Sequence, residues 1–487
     1  DINEVLTAGD LFVGVSRAAL EAMSVGLPVI LAGGEGYLGV FKEEIFERAV
    51  ETNFTCRGEP ATEKEALCRD VAEFFSGFGT PAYEGRSARL GAYGRETVVK
   101  FYSVSRMVDD CELVYARFSD KKKYRIAMSG YYGFDNAGDE AIMQAVYNSI
   151  MQVHAGAEIT VLSKSPASTK ARFGYRSVGR FNPFHVVWVL RRCDALVFGG
   201  GSLLQDNTST RSLMYYLTII RIANFFKKPV MIYANGIGPL SRPKNRERVR
   251  LAVESAKIVT LRDVQSLEDL RHMGVTRDDI EVTGDPVYTI ELPSEDECLE
   301  IVRDAGIDLS RPFAAVSVRK NPDSAQLFPE LAKLCDMIYS QLGIGTVFLP
   351  MQPAPDIAAS REVRSLMSSP AAVPECDLSP RELVGILSNA RFAISMRFHT
   401  LVFAARAGTP WAGIIVDPKI EANLEAFGMP GLGAPSEVDA NSAFETIKTL
   451  LSDREKLSKR LKELSDEQCE RTKIDAKKLS ELPERLN

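Results

Sequence analysis

The sequence predicts an α/β protein whose sheets are mostly parallel and doubly wound. Over residues 124–308, short apolar runs of strand length alternate with helical stretches, which is typical of a parallel sheet with helices on both faces. A second series begins near Pro312, with strands predicted at FAAVSVR, GTVFLPM, FAISMR and PWAGIIV. We therefore expect two facing domains of this kind, over residues 124–308 and 309–455, followed by a C-terminal helix over residues 456–487.

Residues 1–118 form a separate unit in this interpretation. The stretch AGDLFVGVSRAALEAMSVGLPVILAG predicts a strand, a helix that ends at Gly26, and a second strand that Pro28 opens. Too few strands follow for a complete sheet, so only part of an α/β domain is expected. The chain opens with DINEVLTAGD, without a starting Met or a signal peptide, and we expect that it begins inside a longer protein.

The composition argues against several classes of protein. The 487 residues are 45% hydrophobic and 25% charged, as in soluble globular proteins. The net charge of −6 argues against a nucleic-acid-binding protein. The eight cysteines are scattered without metal-ligand spacing, so reduced thiols and no metal site are expected. No apolar run reaches the roughly 18 residues of a membrane-spanning helix, and a cytoplasmic location is expected.

Two glycine-rich turns follow predicted strands of the first of these two domains. In GYYGFDNAGDEAIMQAV, residues 130–146, the turn opens a helix that Asn136 and Asp139 can cap. Free N–H groups at that helix start can receive an anion, although a capped turn without special function explains the pattern as well. In VFGGGSLLQDNTST, residues 197–210, three glycines expose backbone N–H groups, which favours a loop that faces a ligand.

Cationic side chains follow predicted strands of the second domain. Arg319 follows FAAVSV, and SMRFHT places Arg397 and His399 where a strand ends and a helix begins. Residues at the carboxyl ends of parallel strands converge on one crevice, where guanidinium groups suit a carboxylate or a phosphate. The competing interpretation is that Arg397 and His399 are structural residues with partners in the fold. Lys419 in VDPKI and Asp285 in VTGDP also follow strands, and a plain turn accounts for each of them equally well.

Taken together, residues 124 to about 430 resemble the polysaccharide pyruvyl transferase family. The matching pieces, in the family's order, are GYYGFDNAGDEAI, FGGGSLLQD, ANGIGPL, LRDVQSLEDLRHMGV, VTGDP, SVR, SMRFHTLVFAARAGTP and VDPKI. The resemblance implies a GT-B-like fold with two Rossmann-like domains, phosphoenolpyruvate as co-substrate and no other cofactor. It implies transfer of a pyruvate ketal to a sugar of a cell-wall polymer or its lipid-linked precursor. The most similar branch, the cell-surface anchoring or CsaB-like enzymes, is associated with N-acetylmannosamine and with S-layer anchoring.

The first unit resembles a different family. SRAALEAMSVGLPVI is similar to the donor-side helix of family 4 type glycosyltransferases, and Glu21 matches the glutamate of their LEAM-x-x-G-x-P pattern. The acidic partner that precedes this glutamate in the family is not evident, since VGVSRAA stands in its place. We expect a remnant of a fused glycosyltransferase or a docking module.

The pyruvyl transferase resemblance implies roles for the cations of the crevice. Arg319 and Arg397 would hold the carboxylate and phosphate of phosphoenolpyruvate, with Lys419 on the phosphate. His399 would act as the general acid that protonates the methylene carbon.

The acceptor sugar would contact the carboxylates and the glycine-rich loops. A carboxylate should deprotonate the attacking hydroxyl, and Asp285 is the first candidate and Asp139 the second. The predicted sugar-binding residues are Asn136, Gly200, Gly201, Gln205 and Asp206.

Two other functions stay open at this point. A nucleotide-sugar glycosyltransferase has the same fold, and its cations would bind a nucleotide diphosphate. A non-catalytic carbohydrate-binding protein would bind the acceptor without turnover. The expected partners are phosphoenolpyruvate and an amino-sugar acceptor, and no nucleic acid is expected. A lipid can carry the acceptor at the inner face of the membrane.

Overall fold

The structure, a computed structural model, describes residues 2–118, 123–207, 209–308, 310–375 and 377–482. It consists of two compact units, Asp1–Asp120 and Lys121–Asn487. Cys376, residues 119–122 and the last five residues of the predicted C-terminal helix lie outside the described residues.

The first unit is built on a small mixed sheet. Its elements are α1 (Ile2–Thr7), β1 (Phe12–Gly14), α2 (Ser16–Ser24), β2 (Val29–Gly33), β3 (Gly36–Val40), α3 (Phe46–Glu51), α4 (Lys64–Phe74), α5 (Pro81–Phe101) and α6 (Val104–Phe118). β1 pairs with β2 in parallel, and β3 pairs with β2 in antiparallel orientation. The predicted strand, helix and strand are β1, α2 and β2, and Gly26 takes a left-handed φ of +79° just after the helix.

The second unit opens with a seven-stranded sheet in which every pairing is parallel. The elements are β4 (Arg125–Ser129), α7 (Ala137–Val153), β5 (Glu158–Ser163), α8 (Pro166–Phe173), β6 (Ser177–Gly179), α9 (Pro183–Arg192), β7 (Ala195–Leu204), α10 (Thr210–Phe225), β8 (Val230–Ile237), α11 (Pro243–Ser255), β9 (Ile258–Leu261), α12 (Val264–His272) and β10 (Glu281–Val282). The strand order is β10-β9-β8-β7-β4-β5-β6, so the winding direction reverses between β4 and β7. Helix α7 packs on one face, and α9 to α12 pack on the other.

The second sheet has five parallel strands in the order β13-β12-β11-β14-β15. The elements are α13 (Glu295–Asp304), β11 (Phe313–Ser317), α14 (Ser324–Leu342), β12 (Gly345–Phe348), α15 (Pro353–Leu366), β13 (Ala371–Ala372), α16 (Pro380–Asn389), β14 (Ala393–Ser395), α17 (Phe398–Ala407), β15 (Trp411–Gly413), α18 (Pro418–Phe427), α19 (Ala440–Ser452) and α20 (Arg454–Ser480). The predicted α/β fold with parallel sheets is therefore confirmed.

Short side chains determine where the helices beside the crevice begin. Asn136 accepts a hydrogen bond from the backbone N–H of Gly138 and caps α7. Asp417 caps α18 in the same way, accepting from the N–H of Lys419 at 2.9 Å. Such caps satisfy backbone donors that a helix start leaves without partners. They hold both helix starts at the carboxyl ends of the strands, where the crevice lies.

The last helix, α20, packs on both domains of the second unit. Asp466 pairs with Arg406 of α17 at 3.2 Å, whereas the carbonyl oxygen of Leu479 lies 3.3 Å from Nε2 of His154 after α7. Between them, Asp475 is fully buried, and burial raises its pKa to about 7. The helix therefore connects the two domains through side chains as well as through the chain.

Three further properties concern the described parts of the chain alone. None of the helices described is long and apolar enough to cross a membrane. In the same residues, no group of three or more His, Cys, Asp and Glu side chains is placed to hold a metal ion. The seven cysteines described there are free.

Candidate active site

A cavity of about 240 Å³ lies between the two domains of the second unit, at the carboxyl ends of their strands. This is where the reversal of winding direction between β4 and β7 leaves room for a ligand. Its lining consists of Asn136, Asp139, Gly201, Ser202, Arg262, Arg319, Met351, Met396, Arg397, Phe398, His399, Val416, Asp417, Lys419 and Ile420.

His399 stands at the start of α17 and packs against the other domain. A Cβ added to Gly138 at the start of α7 would lie 2.1 Å from its Nδ1, so only glycine permits this approach. Its Nε2 lies 3.8 Å from Oδ2 of Asp285 and has no hydrogen-bond partner among the described residues. Burial lowers the pKa of the ring to about 4, with Asp285 opposing this shift and the nearby cations Arg262, Lys419 and Arg397 adding to it.

Two arginines of the cavity are held by buried carboxylates, one in each domain. Arg262, just after β9, donates to Oδ2 of Asp285 at 3.3 Å and to Oγ of Ser202 at 3.2 Å. Arg397 pairs with Asp356 of α15, and its Nε is buried without a partner in the described chain. Both guanidinium groups are thus oriented by the fold, and Arg397 keeps a donor for a ligand.

Arg319 and Lys419 complete the cationic side of the cavity. Arg319 forms no ion pair with any residue that the structure describes, and burial together with nearby Arg397 lowers its pKa. Lys419 donates from Nζ to Oγ of Ser202 at 2.6 Å, across the two domains. Burial lowers the pKa of Lys419 to about 8, so much of it stays charged near neutral pH.

Asp139 is the carboxylate of the first domain that reaches the cavity. It lies in the first turn of α7, and its Oδ1 is 3.4 Å from the point where a Cβ added to Gly201 on β7 would stand. Burial, together with the nearby carboxylates Glu140 and Asp285, raises its pKa to about 7, against the lowering effect of Arg262 and Arg397. Asp139 can therefore exchange a proton near neutral pH.

The sequence model of the family described as polysaccharide pyruvyl transferase matches residues 136–418, more than half of the chain. The chain belongs to this family. It is therefore a transferase, and the family implies a pyruvate donor and a sugar or polysaccharide acceptor. No curated protein matches the sequence.

Solved structures resemble this transferase in fold. The UDP-GlcNAc 2-epimerase from Neisseria meningitidis, bound to UDP-GlcNAc, has a TM-score of 0.52 at 13% identity over 74% of this chain and 100% of its own. HepE from Anabaena, in complex with UDP and glucose, has a TM-score of 0.51 at 11% identity over 73% and 99%. At such identities the likeness concerns the fold alone, and it confirms the GT-B-like arrangement of two Rossmann-like domains.

Most predicted site residues of the transferase do line one cavity. Those brought together there are Asn136, Asp139, Gly201, Arg319, Arg397, His399 and Lys419. Their spacing in the sequence exceeds 280 residues, and the convergence comes from the parallel topology of the two sheets.

Four predicted residues are not on the cavity surface. Asp285 lies beneath it, 3% exposed, accepting from Arg262 and from the N–H of Val287 at 3.0 Å. Gly200 faces α7, where an added Cβ would come within 1.9 Å of Cγ2 of Ile142. The other two are Gln205 and Asp206.

Asp206 has a structural position in this fold. It accepts from the N–H of Ser241 at 2.8 Å and from Nδ2 of Asn245 at 2.8 Å. These bonds hold the segment that leads into α11, and they lower the pKa of Asp206 in spite of its partial burial. Asp206, although it follows a glycine-rich strand, thus stabilises a neighbouring loop through these hydrogen bonds.

Sequence reasoning missed Arg262 and Asp356. Arg262 directly follows a buried strand, which is the same signal that identified Arg319. Its carbon Cζ also lies 4.9 Å from the ring centre of Phe398, so it is packed as well as paired. Asp356 lies on a helix 41 residues before its partner Arg397, and no short motif joins the two.

Proposed function

We propose that this transferase moves pyruvate from phosphoenolpyruvate onto a sugar as a cyclic ketal, within a cell-wall polymer or its lipid-linked precursor. The family supports the pyruvyl transfer and the sugar acceptor. The donor, the polymer and the roles of the residues are our proposal.

One observation carries the choice of donor. The cavity contains Arg319 without an ion pair in the described chain and Arg397 with a buried Nε that has no partner there. Buried polar groups without partners are costly, and guanidinium groups bind carboxylate and phosphate through paired hydrogen bonds. Phosphoenolpyruvate carries both of these anionic groups on a small three-carbon skeleton. We place its carboxylate and phosphate on Arg319 and Arg397, with Lys419 as a further phosphate contact.

The reaction begins with a proton transfer to the donor. In our proposal His399 donates its proton to the methylene carbon, which becomes a methyl group, and leaves C2 electrophilic. A first sugar hydroxyl adds to C2 and loses its proton to a base. The bond from C2 to the phosphate oxygen then breaks, and phosphate leaves with the electron pair. A second hydroxyl adds to C2, which closes the ketal and releases the second proton to the departing phosphate.

Asp139 is the better placed of the two candidate bases. It lines the cavity, and its pKa of about 7 allows it to accept a proton under neutral conditions. Asp285 is buried beneath the cavity and engaged with Arg262, so we assign it to orienting Arg262 and His399. This reverses the order of preference that the sequence suggested.

The general-acid role of His399 depends on the bound donor. In the free site its pKa of about 4 makes the ring neutral, and Arg262 and Lys419 contribute to that low value. A donor with up to three negative charges would compensate these cations and raise the pKa, because opposite charges favour the protonated ring. We propose that the ring takes up its proton together with the donor.

The finer assignment follows the CsaB-like resemblance. We propose N-acetylmannosamine of a secondary cell-wall polymer as the acceptor, and anchoring of S-layer proteins as the use of the product. For the first unit, the likeness to family 4 type glycosyltransferases stays a prediction. There, Glu21 pairs with Arg17 of the same helix at 2.8 Å.

The test is phosphate release from phosphoenolpyruvate with a synthetic or lipid-linked N-acetylmannosamine acceptor. We expect acceptor-dependent release, and a loss of about 10²-fold or more in His399→Ala. His185→Ala is the matched control, because that histidine lies exposed on α9. Release that persists in His399→Ala would remove this residue as the acid. Turnover of a sugar nucleotide, with none of phosphoenolpyruvate, would instead establish a glycosyltransferase.

A further inference from the structure

Helices α9 and α10 present an unusual outward face on the first domain of the second unit. Large apolar side chains are exposed there, with Phe184 at 82%, Phe225 at 80% and Phe181 at 66%. Trp188 and Val187 are also exposed on α9, one turn after Phe184. Exposed apolar groups that cluster on one surface mark an interaction site. We name this surface the α9–α10 face and define it by Phe181, Phe184, Val187, Trp188, Arg191, Arg192, Arg221 and Phe225.

The charge of this face is strongly basic. Neither α9 nor α10 contains an acidic residue, although the whole chain has a net charge of −6. The face as defined carries three exposed arginines, Arg191, Arg192 and Arg221, and no carboxylate. The face is therefore complementary to an anionic surface.

The arrangement of the side chains fits the interface of a lipid bilayer. Arg192 lies over the ring of Trp188, with its Cζ 4.6 Å from the ring centre. Trp combined with Phe on one helix face, and Arg at its margin, is the pattern of helices that lie in the plane of a membrane surface. A second copy of this chain is a poorer occupant, since a symmetric contact would bring the same arginines together.

The α9–α10 face continues toward the cavity. The ring of Phe181 makes an edge contact with Phe134, with centroids 6.4 Å apart and planes at 89°. Phe134 belongs to the loop between β4 and α7 that ends at Asn136, and Asp139 follows in the first turn of α7. A bilayer on this face would thus lie beside the part of the cavity that we assign to the acceptor.

We propose that the α9–α10 face binds the anionic surface of a lipid bilayer and presents the cavity to a sugar carried by a lipid. The proposal deepens the proposed function and rests on it for the nature of the acceptor. The binding itself is measured without donor or acceptor, so the two can fail separately.

The experiment is flotation of the full chain with vesicles of phosphatidylcholine alone or mixed with phosphatidylglycerol. At about 0.1 M salt we expect binding to the mixed vesicles, weakened by higher salt. Phe184→Ser combined with Trp188→Ser should reduce the bound fraction roughly tenfold. Leu366→Ser, at an exposed leucine of α15, is the matched control and should bind as the parent does.

A second variant separates charge from apolar contact. The double variant Arg191→Glu with Arg192→Glu should lose the preference for vesicles that contain phosphatidylglycerol. If the serine variant does not fold, this double variant tests the membrane binding of the face by itself. All variants should keep the parent's phosphate release with a soluble acceptor, because none of these residues lines the cavity. Full vesicle binding without phosphate release from phosphoenolpyruvate would contradict the proposed function but support the assignment of this surface.

Three results would overturn the surface assignment. The first is that the parent chain does not float with either kind of vesicle at low salt. The second is that both variants float as the parent does. The third is that sedimentation without lipid shows a dimer that the serine variant cannot form, in which case the face is a contact between two copies.

Discussion

The two domains of the second unit meet at one cavity but offer it different chemistry. The first domain contributes an amide, a carboxylate and a hydroxyl, from Asn136, Asp139 and Ser202. Its cation there, Arg262, is already engaged with Asp285. These groups suit the neutral hydroxyls of a sugar.

The second domain offers positive charge at the equivalent edge of its own sheet. Arg319, Arg397 and Lys419 all follow its strands, and His399 stands at a helix start. One carboxylate of this domain, Asp417, lines the cavity beside them. Two domains of one architecture thus differ in the residue that follows each strand. The difference indicates that side chains at strand ends, rather than the fold, determine which ligand each domain binds. We propose that the second domain binds the donor and the first domain binds the acceptor.

The largest effect should come from removing the cation without an ion pair. We expect Arg319→Ala to lower kcat/KM for phosphoenolpyruvate by about 10³-fold, because a charge-assisted contact to the donor is lost in a partly buried site. Lys320→Ala is the control, since this neighbour is exposed and pairs with Glu362. Initial-rate kinetics of phosphate release measure both. Equal effects at the two positions would contradict a donor site in the second domain.

The carboxylate of the first domain should affect turnover more than donor binding. We expect Asp139→Asn to reduce kcat by about 10²-fold, with little change in KM for phosphoenolpyruvate. A base must be ionised, so the parent's rate should rise with pH through about 7, the pKa of Asp139, and the variant should lose that rise. Asp135→Asn, at an exposed position of the loop that precedes α7, should keep the parent's pH profile. An unchanged pH profile in Asp139→Asn would exclude it as the base.

Gly138→Ala tests the contact between the two domains at His399. The new methyl group would displace the His399 ring, so we expect kcat to fall roughly tenfold or more and stability to fall by about 2 kcal/mol. Gly85→Ala is the matched control, because that glycine also lies within a helix and an added Cβ there meets nothing within 4 Å. Activity assays and thermal unfolding distinguish the two. A fully active Gly138→Ala would mean that the ring position is not critical.

The smallest effect concerns stability and leaves the cavity untouched. Burial raises the pKa of Asp475 to about 7, above its value in an unfolded chain. Stability from this group is therefore fully present below about pH 4 and is lost as the pH rises toward 7. At pH 8 we expect Asp475→Asn to stabilise the protein by about 1–3 kcal/mol, measured by urea unfolding.

Asp466→Asn serves as the control for that measurement. Its carboxylate is exposed and pairs with Arg406, so the change in stability should stay within about 0.5 kcal/mol. If Asp475→Asn lost stability at pH 8, the carboxylate would be stabilising when ionised, contrary to its burial.

The sequence was sufficient to predict the architecture and the cationic side of the cavity. Strand periodicity is local, and parallel topology brings every strand end to the same edge, so Arg319, Arg397, His399 and Lys419 could be placed together without knowing any contact. The strands predicted at FAISMR and PWAGIIV are β14 and β15. These predictions required only local pattern and the rule that strand ends converge.

The sequence was not sufficient to show which way a side chain turns. Asp206 and Asp285 both follow strands, yet one holds the approach to α11 and the other lies beneath Arg262. The pairing of Arg397 with Asp356 joins a strand end to a separate helix. Such choices depend on packing between segments that are distant in sequence, which local periodicity does not report.

Helix α20 has a consequence for motion within the second unit. The chain passes from the first domain to the second before α13 and returns through α20, so two covalent connections join the domains. One connection would permit swivelling in any direction, whereas two confine the relative movement to a rotation about the line that joins them. A rotation about that line would change the width of the crevice along one direction only, and closing it would restore the approach of His399 to Gly138.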